Sequence, residues 1–250
     1  MKTFIAAVVM CSLTPAFAAG YLKDFDYQLT DIASKGLTKE SLFNKTKTDF
    51  MDLEKSICAN RAHVWGYDLF RFNKINTGKI FIFFGASIWT KSDKHGYMYH
   101  VAPYIVENGT EYVMESSYPS EMKTPVTVEE WIESETYNRV KGSDCLEITA
   151  EDTDLTEYFY ARQTLPEKRA NGKPGARCYI RKVPGHYWFP TSIALHDLKK
   201  DADGKKVDYN PQTFDVADVV EACIETASSK IGRFFGGASA RTKCEKHLRR

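Results

Sequence analysis

Tyr97-Met98-Tyr99-His100-Val101-Ala102-Pro103-Tyr104-Ile105-Val106-Glu107-Asn108-Gly109-Thr110-Glu111-Tyr112-Val113-Met114-Glu115 is the stretch on which the fold turns. Two runs rich in β-branched and aromatic residues, 97–106 and 111–115, flank Glu107-Asn108-Gly109-Thr110. Asn-Gly between such runs predicts a two-residue hairpin loop, because both central residues of that turn need positive φ. The loop pairs Glu107 with Thr110, and counting back pairs Ala102 with Glu115 and His100 with Ser117. Alternation then puts His100, Ala102, Glu115 and Ser117 on one face of the sheet. Glu115 is the diagonal neighbour of His100, about 7–8 Å between backbones and within reach of a long side chain. A carboxylate there orients the imidazole and stabilises its protonated form. A one-residue slip would send Glu115 to the other face, and Pro103 lacks the donor that regular pairing uses. The plain alternative is a polar strand face with an ordinary His and Glu.

Upstream, Ser56 is a good N-cap for a helix running through Cys58, Ala59, Arg61, Ala62, Val64, Trp65 and Leu69. Cys58 falls at about its second position, where unpaired backbone N–H groups and the helix dipole favour a thiolate. The same N–H groups can hold an oxyanion. Arg61, three residues on, shares that helix face and adds positive charge. His63 lies five residues on, roughly 140° around the helix at about 100° per residue. It is therefore expected to be structural, and His100 is the better base.

Polar sequence with apolar residues at helical spacing (Ile32, Leu37, Leu42, Phe43, Phe50, Leu53) predicts two amphipathic helices between residues 24 and 53. They read equally as a lid or as a removable prosegment. Residues 79–84, apolar from Ile80 onward, read as a buried strand. Strand-like pieces follow at 157–162 and 178–183, separated by turn-rich 170–175, and a last helix spans 216–231. The basic, glycine-containing tail from residue 232 reads as a surface segment.

The chain has 250 residues, 34 basic against 33 acidic, with aromatics at 13%. This profile fits an ordinary globular protein and excludes disorder and the strong basic excess of a nucleic-acid binder. Residues 1–18 combine Lys2, an apolar run and Ala16-Phe17-Ala18, the pattern of a secretory signal peptide cleaved after Ala18. A lipoprotein anchor at Cys11 is disfavoured by the bulky Met10 before it. Export makes a secreted or periplasmic protein without a membrane anchor, and an oxidising compartment. Cys58, Cys145, Cys178, Cys223 and Cys244 then remain, an odd number that predicts two disulfides and one free thiol. Cys145–Cys178 and Cys223–Cys244 are the expected pairs among three possible connectivities, with Cys58 left over.

Cys58-Ala59-Asn60-Arg61-Ala62-His63 resembles the Cys-x-x-Arg-Ala-His helix start of the bacterial protein-glutaminases, or protein-glutamine deamidases. Tyr99-His100-Val101-Ala102 resembles their Tyr-His-Val-Ala strand, and Pro125-Val126-Thr127 followed by Trp131 resembles a later motif. The resemblance spans residues 56–131 and departs at Glu115-Ser116-Ser117, where the family has Asp-Pro-Ser. It implies an α+β fold with a papain- or transglutaminase-like core, a Cys-bearing helix packed on an antiparallel His-bearing sheet. It further implies Cys58 as nucleophile, His100 as base and Glu115 in the place of the orienting acid. The expected activity is deamidation of protein-bound glutamine to glutamate and ammonia through a thioester, with no cofactor or metal. Protein or peptide substrates are the expected partners, and a monomer the expected state. Residues 19–55 would form a helical N-terminal segment or prosegment, 56–140 the catalytic core, and 141–250 a disulfide-bonded remainder of the same domain. Two rivals stay open: another thiol enzyme of that core (a transglutaminase, or a cell-wall amidase or peptidase), and a non-catalytic secreted binding module.

Weaker signals lead elsewhere. Asp197, Asp201, Asp203 and Gly204 lack the spacing and terminal Glu of a calcium loop and read as a solvated turn. His186-Tyr187-Trp188-Phe189 reads as core rather than a substrate groove. His95, His196 and His247 show no recognisable partners in sequence.

Overall fold

The computed structural model describes residues 20–48, 57–85, 99–115, 122–156, 175–200, 205–208, 211–230 and 237–248. The expected signal peptide, Cys11, Ser56, His95, Ser117 and the strand-like piece at 157–162 lie outside these residues. Helices α1 (Lys39–Thr48) and α2 (Cys58–Asn73) precede strands β1 (Gly78–Phe84), β2 (Tyr99–Glu107), β3 (Thr110–Val113) and β4 (Val126–Thr127). Helix α3 (Val128–Glu135), β5 (Leu146–Glu147), β6 (Cys178–Pro184), α4 (Pro190–Leu198), α5 (Val216–Lys230) and α6 (Gly237–Leu248) complete the chain. The class is α+β, as expected. One sheet of order β4-β3-β2-β1-β6-β5 carries it, antiparallel except for β5 against β6.

The hairpin forms where Asn-Gly predicts it. Glu107 pairs with Thr110, and Asn108 and Gly109 take φ of 51° and 76°. Strand β1 lies between β2 and β6 and is buried along its whole length, which is why its apolar residues do not alternate with polar ones. One face of the sheet packs Ile80, Ile82, Ala102, Tyr104 and Val106 against Trp131 and Ile132 of α3. The opposite face packs Phe81, Phe83, Val101 and Tyr179 against Ala59 and Ala62 of α2. The outer side of α2 is covered in turn, Val64, Trp65 and Tyr67 meeting Val219, Ala222 and Cys223 of α5 and Ala240, Cys244 and Leu248 of α6. Helix α2 is thus buried nearly all round.

Both expected disulfides are present, Cys145–Cys178 and Cys223–Cys244, with Cα–Cα distances of 4.9 and 5.8 Å. Cys58 is the free cysteine among the described residues. The basic tail, read as a surface segment, is mostly α6, amphipathic through Ala240, Cys244 and Leu248, and the second disulfide holds it to α5 as expected. Asp197 lies in α4 rather than in the expected solvated turn and pairs with buried Arg181, which also binds Asp24, while Asp201, Asp203 and Gly204 lie outside the described residues. Neither α3 nor α4 was expected. Each nonetheless has a start signal: a Thr127/Glu130 capping box for α3 and Pro190 at the first position of α4.

Of the two helices expected between residues 24 and 53, the described residues form a 3₁₀ turn (Ile32–Lys35) and α1, and Phe50 and Leu53 lie outside them. This segment is built into the cores. Leu22 and Leu29 join the Trp131 side, while Ile32, Leu42 and Phe43 pack with Leu69, Ile105 and Met114. Asp31 is the main polar link. Its carboxylate accepts hydrogen bonds from Ala33 N at 3.0 Å, Asn108 N at 3.0 Å and Gly109 N at 3.1 Å, so it caps the 3₁₀ turn and the hairpin loop together. Asp31→Ala is expected to cost about 1–3 kcal/mol, the loss of a cap plus hydrogen bonds to turn amides. Urea unfolding of the two proteins checks it, and equal midpoints would remove Asp31 from the hairpin's supports.

Candidate active site

The site starts from a helix end without a side-chain cap. Ile57 has extended φ/ψ and its carbonyl accepts the amides of Asn60 and Arg61. Cys58 is therefore the first helical residue rather than the second, and its amide and that of Ala59 precede the first intrahelical donors. Cys58 is half-buried, packed against the cluster that includes Ala59, Ala62 and Val101. Arg61, one turn along, is buried, with Nη2 4.0 Å from Oε1 of Glu115.

His100 reaches the same place from the other side of the sheet. It pairs with Ile82 across β1 and its ring lies 5.9 Å from that of Trp131, inclined at 30°. Pairing of β3 with β2 stops at Tyr104–Val113, so no β3 partner covers the edge of β2 at Tyr99 and His100. One more backbone bond, from Met114 N to Pro103 O at 2.8 Å, keeps the chain alongside. Pro103 lacks a donor but its carbonyl supplies the last contact that aims Glu115. The result is a hydrogen bond of 2.7 Å between His100 Nε2 and Glu115 Oε2, both side chains buried. Cys58 hydrogen-bonds the imidazole as well. With Nε2 on the carboxylate, Nδ1 is the ring nitrogen left to face the sulfur.

Sequence reasoning missed a second acid here. Glu135, the last residue of α3, is buried one turn beyond Trp131, which brings it to the side of His100. Burial pushes the Glu135 carboxyl up to about 7; His100 pulls it down and Glu115 pushes it further up. Burial by itself would strip the proton from His100, but Glu135, Glu115 and Cys58 outweigh it and hold the imidazole well above the ordinary histidine value. The capping box at Thr127 announces the helix, and Trp131 and Glu135 at i, i+4 mark one of its faces. Neither signal reveals that this face meets His100.

The other histidines lie in different surroundings. His63 is structural, as expected: its Nδ1 is 2.8 Å from the Nζ of wholly buried Lys79, and its ring stacks on Trp188. Burial, then Lys79 and His186, drive His63 well below the usual value. Burial chiefly lowers His186 to about 4. Two histidines without an expected partner have one, His196 with Asp197 at 2.9 Å and His247 with Asp68 at 2.8 Å. The aromatic run divides: His186 and Tyr187 are buried core, whereas Trp188 and Phe189 are half-buried and pack on the same cluster as Cys58 and Tyr99. Trp188 Nε1 donates to Asn60 Oδ1 at 3.1 Å, tying that ring to the first turn of α2. Among the described residues no cluster of His, Cys, Asp and Glu is arranged to hold a metal, and no helix is long and apolar enough to cross a membrane.

A free thiol at a helix start, facing an imidazole that a carboxylate orients, is equipment for acyl transfer through a thioester. Residues 31–135 match a family model described as glutaminase. That span is less than half of the chain, yet it contains Cys58, Arg61, His100, Glu115 and Glu135. The matched span overlaps the Cys58 and His100 motifs that carry the resemblance to the protein-glutaminases. The chain is also similar to the NMR structure of protein-glutaminase from Chryseobacterium proteolyticum, at 15% identity and a TM-score of 0.38 over 86% of this chain and 97% of that one. No curated protein matches the chain.

The opposite displacements of His100 and His63 make a direct prediction. In histidine-labelled protein at pH 7, NMR should show His100 carrying both ring protons and His63 neutral. A neutral His100 at that pH would contradict the arrangement of charges around it.

Proposed function

We propose that the protein is an exported protein-glutamine deamidase with Cys58 as nucleophile, His100 as acid and base, and Glu115 as the acid that orients His100. The observation that supports it most is the buried 2.7 Å contact of His100 with Glu115 beside the free Cys58 thiol. Cys58 sulfur attacks the side-chain carboxamide carbon of a glutamine, and the tetrahedral oxyanion settles on the open amides at the start of α2. The imidazolium of His100 gives its proton to the departing nitrogen, the C–N bond breaks, and ammonia leaves behind a thioester. His100, now neutral, takes a proton from water, whose oxygen attacks the thioester carbonyl; glutamate departs and the thiolate–imidazolium pair is restored. Trp188, Phe189 and Tyr99 would line the approach of a chain-borne side chain.

This reading treats α2 and the sheet as a papain- or transglutaminase-like core, with residues 56–140 supplying the chemistry and 141–250 its disulfide-bonded support. Two disulfides fit an extracellular protein. Residues 20–48 belong to the working enzyme rather than to a discarded prosegment. Leu22, Leu29, Ile32, Leu42 and Phe43 are all buried, at roughly 1.5–3 kcal/mol each. Their loss would rival the entire stability of a domain, about 5–15 kcal/mol.

Incubation with a glutamine-rich denatured protein is expected to release ammonia and add about 1 Da per converted site through the hydrolysed thioester. Cys58→Ala should abolish both, and Glu115→Gln should lower kcat on the order of 10²–10⁴-fold while the fold is kept. Ammonia release that survives Cys58→Ala would end the proposal, and crosslinked products in place of ammonia loss to water would move it to a transglutaminase.

A further inference from the structure

Glu135 has no place in the three-residue arrangement above, yet it stands where it must act on it. It closes α3 from the Trp131 side of the sheet, while Cys58 and Arg61 come from α2 and Glu115 from the end of the hairpin. His100 on β2 is common to all of them: Trp131 packs on its ring and Glu135 lies one helical turn further on. Glu135 is itself 3% exposed, and its Oε1 is buried without a hydrogen-bond partner among the described residues. A buried acid with an unsatisfied oxygen costs stability rather than supplying it. The Glu135 charge is felt by the imidazole and by Glu115. It is the foremost of the charges that keep His100 protonated, ahead of Glu115 and Cys58.

We propose that Glu135 is a second acid of the site, a positioning residue whose carboxylate holds the His100 imidazolium from the α3 side and so sets the upper pH at which the thiol–imidazole pair stays charged. The inference rests on the reading of Cys58 and His100 as the reacting pair. Glu115 provides the directional hydrogen bond, and Glu135 adds charge. Arg61 is the only other cation placed against this group by the described residues, and it leans on Glu115. Burial brings the Glu135 carboxyl up to about 7, so it carries its full charge above neutrality, where the imidazolium would otherwise be lost. Removing that charge leaves the acid limb of the pH–rate profile in place and moves the alkaline limb down.

The test compares wild type with Glu135→Gln, which keeps shape and deletes charge, and with Glu135→Asp, which keeps charge. The titration midpoint of His100 is read by NMR and the alkaline limb of kcat/KM by ammonia release. In Glu135→Gln both are expected to fall by about one pH unit or more, the scale of losing an opposite charge within a few ångströms. Glu135→Asp should restore at least part of the shift. Should Glu135→Gln not fold, Glu135→Met replaces the buried acid with an apolar side chain of similar length and is expected to show the same fall. A His100 midpoint within about 0.2 units of wild type in the neutral variants, well below the shift that charge removal demands, overturns the inference, as does an alkaline limb that stays put while the midpoint falls. If wild type releases no ammonia, the functional reading fails by itself, and the NMR arm still decides whether Glu135 holds the imidazolium.

Discussion

The site depends on where one β-ladder stops. Had β3 continued along β2 past Tyr104–Val113, a third strand would lie between α2 and His100, and a thiol on one face of the sheet would never meet an imidazole on the other. The ladder ends at Tyr104–Val113 instead, four pairs short of His100. Among the described residues the Met114-to-Pro103 bond carries the chain onward, and Glu115 turns in beside His100. Asp31 holds the far end of the same hairpin by its loop amides. The hairpin is therefore fixed at its turn and released at its base, and the release is what admits Cys58.

Burial then makes a small number of charges decisive. At an effective dielectric constant near 20, two unit charges 4 Å apart interact by about 4 kcal/mol, several times their value in water. An imidazole placed alone in such surroundings would give up its proton. Here Glu115 and Glu135 approach it from two different elements, and Arg61 offsets part of their mutual repulsion through Glu115. The two carboxylates are not equivalent. Glu115 spends its oxygens on His100 and Arg61, whereas Glu135 keeps one oxygen with no hydrogen bond.

What could be read from the sequence was what local chemistry dictates. Asn108-Gly109 needs no tertiary context, because two consecutive positive φ values restrict the residues that can occupy them. That register carries directly to His100 and Glu115, and cysteines spaced by 33 and 21 residues close as neighbours in sequence. The misses share another cause. Helix α6 shows Ala240, Cys244 and Leu248 on one face, but the intervening Arg241, Lys243 and Lys246 make the segment look solvated until α5 is seen beneath it. Glu135 ends an ordinary-looking amphipathic helix, and its partner is 35 positions upstream on a strand. No periodicity reports that distance. Ser56 was a plausible cap, yet Ile57 takes the cap position with no side-chain bond, which leaves the first amides of α2 open.

The contrast between His63 and His100 shows why nearness in sequence alone would choose the wrong neighbour for a thiol. His63 is on the same helix as Cys58, but its Nδ1 is occupied by the Lys79 amine and its ring is sandwiched against Trp188. Lys79 is itself wholly buried, donates to the Tyr187 carbonyl at 2.6 Å, and is held far below its ordinary pKa by burial. A proton placed on His63 would face that amine and His186 with no carboxylate among the groups that shift it. His63 thus stays neutral and can pass no proton at neutral pH, while His100 gains one from surroundings built of acids. Burial lowers both histidines, and the final direction is set by whether the groups sharing that burial are amines or carboxylates.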